Sequence, residues 1–117
     1  MATFTKQLLS GSTNGKGIKV AATATAGTLI HTAVSGTTAM DEVWLYANNT
    51  SGSTVKLTIE WGEATAPDGN IKINIGAEGT GLILISPGIL LQNGLTIKAF
   101  AGTTNVINIF GYVNRIS

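Results

Sequence analysis

The stretch Thr54-Val55-Lys56-Leu57-Thr58-Ile59-Glu60-Trp61 alternates polar and apolar residues without a break. Successive side chains of a β-strand point to opposite faces, so Val55, Leu57, Ile59 and Trp61 share one face. Lys56, Thr58 and Glu60 share the other and are expected to be wet. One greasy and one wet face belong to an antiparallel sheet laid over a single core. Just upstream, residues 42–48 hold Val43, Trp44, Leu45 and Tyr46, all strong strand formers. Asn48-Asn49-Thr50-Ser51-Gly52-Ser53 between the two runs turns the chain, which predicts a hairpin.

Working outward, further strands are predicted at residues 18–23, 28–34, 70–75, 81–85, 89–92, 95–101 and 105–114. Turn chemistry separates them. Pro67-Asp68-Gly69 combines a preset φ, a side chain that bonds its own backbone and a residue tolerant of positive φ. Asn93-Gly94 is a tight-turn pair. No stretch of twelve residues has a helical period. Eight or nine short strands with polar, Gly-rich turns predict an all-β chain, an antiparallel β-sandwich of jelly-roll type. The alternation places Val55, Leu57, Ile59, Ile71, Ile73, Leu82, Leu84, Leu95, Ile97, Ile107 and Ile109 in its core. Residues 1–17 hold a Gly- and Ser-rich segment with little core of its own, expected as a flexible arm. Residues 18–117 form the single sandwich domain.

The 117 residues suffice to bury roughly 65% of the unfolded surface. With no cysteine there is no disulfide, thiolate metal site or cysteine nucleophile. The first ten residues have one basic residue and no long apolar run, so no export signal is expected. Charged residues make up 11% against a typical value of about 25%, and the net charge is +1. So neutral a surface attracts neither nucleic acid nor anionic membrane strongly. Low charge beside 44% hydrophobic residues points to surface that other chains cover. The uncharged runs 81–85 and 105–109, with both prolines expected in loops, read as strand edges left unguarded and therefore covered.

Catalytic patterns are thin. His31 is the single histidine, and Asp41 or Glu42 could orient it after folding, but a nucleophile beside it is not specified. The favoured reading is a strand histidine at the sheet surface. Glu60 and Glu63 flank Trp61-Gly62, and Glu63 stands five residues before Asp68. Neither spacing supplies a glycosidase cleft or a calcium loop. Gly11-Ser12-Thr13-Asn14-Gly15-Lys16-Gly17 has three residues, not four, between its first glycines, and a strand-like segment follows it, so it is no phosphate loop. No catalytic, cofactor or metal residue is assigned, and no enzyme activity is expected.

The aromatic residues remain. Trp44 and Tyr46 lie two apart on one strand face, and Trp61 ends the amphipathic strand. These three are the candidates for an interface or a ligand-stacking surface.

Gly27-Thr28-Leu29-Ile30-His31-Thr32-Ala33, residues 41–49, residues 55–62 and the C-terminal Gly111-Tyr112-Val113-Asn114-Arg115-Ile116 resemble small proteins encoded beside the capsid genes of tailed bacteriophages. These are the head decoration, or cement, proteins. The resemblance implies a β-sandwich made in the host cytoplasm that sits on the capsid exterior and braces neighbouring capsomers. It further implies a homotrimer whose partner is the major capsid protein. The alternative is a carbohydrate- or receptor-binding β-sandwich of a phage fibre or tail.

Overall fold

The computed structural model describes residues 2–117. Met1, the first residue of the expected arm, lies outside the described residues. The chain forms nine strands: β1 (Phe4–Leu8), β2 (Ile18–Lys19), β3 (Thr28–Thr32), β4 (Met40–Asn49), β5 (Val55–Trp61), β6 (Asn70–Ile75), β7 (Ile83–Leu91), β8 (Thr96–Ala101) and β9 (Ile107–Ile116). One sheet has the order β1-β9-β4-β7, with β2 also on β9, and the other has the order β3-β8-β5-β6. All pairings are antiparallel. The pairs β2·β9, β3·β8, β4·β7 and β5·β6 are nested, as in one long hairpin. Rolling that hairpin adds β4·β9 and β5·β8, which gives the jelly-roll arrangement.

The two sheets enclose one core. Val43, Leu45 and Ala47 of β4 and Ile107, Ile109 and Val113 of β9 line it from the first sheet, and Leu57 and Ile59 of β5 with Ile97 of β8 line it from the second. On β4 burial alternates strictly over all ten residues, as period-2 patterning requires. Where β9 runs beside β4, a Cβ at Gly111 would collide with the Trp44 carbonyl oxygen, so only glycine fits there.

Five expectations need correction. The predicted hairpin of residues 42–48 and 54–61 does not form: the turn between them carries the chain from one sheet to the other, so β4 pairs with β7 and β9 while β5 pairs with β6 and β8. Residues 4–8 are not part of a free arm: β1 pairs with β9 in register from Phe4↔Ile116 to Leu8↔Tyr112, and Leu9 is buried in the core. Leu82, Leu84 and Leu95 are 58%, 46% and 44% exposed rather than core. Residues 82–85 are apolar at every position, so alternation could not choose a face. Pairing did: Leu84 lies opposite Tyr46, on the outward side of β4. Thr58 and Glu60, expected to be wet, are buried, because the 21–27 loop lies over the outer side of β5. Finally, the runs 81–85 and 89–92 belong to one strand, β7, and Pro87 sits inside it, with register shifts on either side.

That last point changes the reading of the edges. β7 is guarded by Pro87 and its bulges, β1 by Lys6 and β6 by Lys72. The free side of β3 is capped by the chain itself: Gly11 N–H donates to the Ile30 carbonyl at 2.9 Å, and Thr32 N–H donates to Ser10 Oγ at 2.7 Å. Strand edges are therefore not the open surface of this molecule. Its sheet faces are.

Candidate functional site

The outward face of the first sheet can be built row by row from the register. Lys6, Asn114 and Glu42 form one row, continued on β7 by Leu90. Leu8, Tyr112, Trp44 and Pro87 form the next, and Phe110, Tyr46 and Leu84 a third. An aromatic and aliphatic band thus crosses four strands. Its two flanks are the open parts, with Phe4 67% and Leu8 53% exposed on β1, and Leu84 and Leu90 nearly half exposed on β7.

The middle of the band is stacked. Trp44 and Tyr112 have ring centroids 6.2 Å apart and planes 12° from parallel. Lys6 Nζ stands 4.9 Å from the Tyr112 ring centre, within cation–π range. On the β7 side a Cβ at Gly88 would lie 3.0 Å from Trp44 Cζ2, and Gly88 has φ +80°, so glycine meets both a conformational and a steric demand there. Lys6, Tyr112, Trp44 and Gly88 therefore form one stack across β1, β9, β4 and β7. Tyr112 stacks on one side of the Trp44 indole, and the Gly88 backbone lies close to the ring.

Polar contacts fix the stack's orientation. Trp44 Nε1–H donates to Glu42 Oε1 at 2.8 Å, and Asn114 Nδ2–H donates to the same oxygen at 3.0 Å. These two donors, Asn114 first, hold the Glu42 carboxyl below the ordinary glutamate range, so it stays ionised.

The structure brings Trp44 and Tyr46 onto this face but not Trp61. Trp61 ends β5 in the other sheet and packs against the core, so it cannot act with them. Sequence reasoning missed Phe110, Tyr112, Lys6 and Glu42 as members of the face. Cross-strand register joins them, and the only signal was the alternation of residues 107–113.

His31 is neither at the sheet surface nor beside a nucleophile. A bulge between Leu29 and His31 breaks the alternation, so Ile30 and His31 are both buried. The Ser10 backbone N–H donates to His31 Nδ1 at 3.0 Å, which assigns the proton to Nε2. Nε2 then donates to Asp41 Oδ2 at 2.7 Å. Asp41, fully buried on β4, also accepts from Val34 N–H at 3.1 Å and from Arg115 Nε and Nη2 at 2.8 and 3.0 Å. Burial pushes the Asp41 pKa up, but the hydrogen bonds from Arg115 and His31, with the Arg115 charge, outweigh it and hold the carboxyl below its ordinary value. The same bond to Asp41 raises the Arg115 pKa. Both nitrogens of His31 are engaged, Nδ1 by the Ser10 backbone N–H and Nε2 by Asp41, so the pair His31–Asp41 ties β3 to β4.

Glu60 is likewise structural. Its carboxylate accepts from Gly27 N–H at 2.6 Å and from the Thr25 hydroxyl, pinning the 21–27 loop. Glu63 lines a shallow hollow of about 60 Å³ beside it with Lys98. A larger hollow of about 500 Å³, lined by Met40, Leu90, Leu91 and Leu95 with Gln92 and Asn93, opens where β4 begins and β7 ends. No group of three metal-ligating side chains occurs among the described residues.

The chain matches no protein-family model, no curated protein and no solved structure.

Proposed function

We propose that this protein is a structural, non-catalytic module that works by covering and bracing other protein surfaces. Its place in this reading is the exterior of a tailed-bacteriophage capsid, where copies assemble as homotrimers and join neighbouring capsomers of the major capsid protein. One observation carries the proposal: an aromatic and aliphatic face spans four of the five strands of the first sheet, with exposed leucines and Phe4 on its flanks. Exposed apolar patches of this breadth mark protein–protein contact. A sugar-stacking surface would need an open ring face, and Trp44 has Tyr112 stacked on one side and the Gly88 backbone close to its ring.

The test is cosedimentation of the purified protein with capsids from its source that lack it. Saturable binding, and particles that resist heat or dilution better with the protein than without, are the expected results. No binding at any concentration would end this reading.

A further inference from the structure

The geometry points to a second copy of this chain as what covers the outward face of the first sheet, with Lys6 of one copy against Glu42 of the other. This deepens the assembly reading above and rests on it. The charges on the face are the first argument. Its outward positions on β1, β9, β4 and β7 include one cation, Lys6, and one anion, Glu42, and the short β2 adds Lys19 at a separate row beside Asn108. Neither Lys6 nor Glu42 has an ion-pair partner among the described residues: Lys6 stands over a ring, and Glu42 takes two neutral donors. These two occupy the same register row, on either side of Asn114.

Along this row a cation on the edge strand β1 and an anion on β4 stand two strands apart, so the row complements a second copy of itself. Pairing the β1 flank of one copy with the β4–β7 flank of another joins Lys6 to Glu42. It also sets Phe4 and Leu8 against Leu84 and Leu90. A foreign partner would have to supply both charges at this spacing, whereas a second copy has them already.

Size is the second argument. Four strands about 4.8 Å apart, the longest ten residues at about 3.3 Å each, make a face of roughly 600 Å² before side-chain relief. That approaches the roughly 800 Å² per partner of a stable interface. The edges being guarded, contact falls to the side chains of this face and not to strand addition.

The experiment is sedimentation equilibrium of the wild type, Lys6→Glu, Glu42→Lys, the double swap and Leu84→Asp, with circular dichroism to check folding. The expected wild-type mass is a multiple of 12.0 kDa. Each single swap is expected to weaken association about tenfold or more, and the double swap to restore it. Leu84 is already half exposed, so Leu84→Asp keeps the fold and loses the oligomer; this arm decides the matter if Glu42→Lys fails to fold. A wild type that stays monomeric at high micromolar concentration overturns the inference. So do single swaps without effect, or a double swap that restores nothing. A monomer that still binds capsids would overturn this inference alone; an oligomer that binds none would overturn only the capsid reading.

Discussion

Nε2 of His31, on β3 of one sheet, donates across the sandwich to Oδ2 of Asp41, on β4 of the other, over 2.7 Å. Because Asp41 also takes Val34 N–H and two Arg115 donors, four N–H groups from two strands and a loop converge on one carboxylate. Asp41→Ala leaves them without an acceptor. A loss of about 2–4 kcal/mol is expected, since buried donors then go unsatisfied while Arg115 keeps partial access to water. Urea unfolding measures it; a loss below about 0.5 kcal/mol would show that water replaces the carboxylate.

The same carboxylate sets a pH dependence. The folded Asp41 pKa lies below the unfolded value of about 3.9, so the unfolded chain takes up this proton first. The stabilisation is therefore complete above that value and fades as pH falls through the lower folded pKa. Acid titration of wild type and Asp41→Asn should diverge most near neutrality and converge as pH falls through the lowered Asp41 pKa. Parallel curves throughout would place the linkage elsewhere.

Removing the ring beside Trp44 should cost stability without disturbing the core. Tyr112→Ala loses a stacked pair worth about 0.5–1.5 kcal/mol beyond its area and frees Lys6. The total expected loss is about 2 kcal/mol, with Trp fluorescence shifted red as water reaches the indole. An unchanged spectrum would contradict the stack.

Gly88→Ala tests the backbone close to the same indole. It forces a Cβ to 3.0 Å from Trp44 at a φ of +80°, and about 1–3 kcal/mol of destabilisation is expected. Gly52→Ala, where an added Cβ meets nothing within 4 Å, is the control and should change stability little.

Glu60→Ala should release the 21–27 loop. Amide exchange at Gly27 is expected to accelerate by at least about tenfold, because its acceptor at 2.6 Å is gone and a buried charge-assisted bond contributes about 1.5–3 kcal/mol. Exchange on β4 should stay as it was.

Local sequence determined the class of this protein. Alternation over residues 54–61 and 70–75, strand formers over 42–48 and Gly- or Asn-based turns between them specify short antiparallel strands, because strand period and turn chemistry act over a few residues. Six of the eleven expected core residues are buried: Val55, Leu57, Ile59, Ile97, Ile107 and Ile109. Ile71 and Ile73 pack against them. Tertiary structure alone decided the rest. Residues 82–85 are apolar throughout, so only pairing with β4 could send Leu84 outward. A bulge turned His31 inward, and a loop thirty-odd residues away covered Glu60. The stack of Lys6, Tyr112, Trp44 and Gly88 draws on four strands distant in the chain. No local pattern encodes such a row, because its members become neighbours only when the long hairpin rolls and fixes their register.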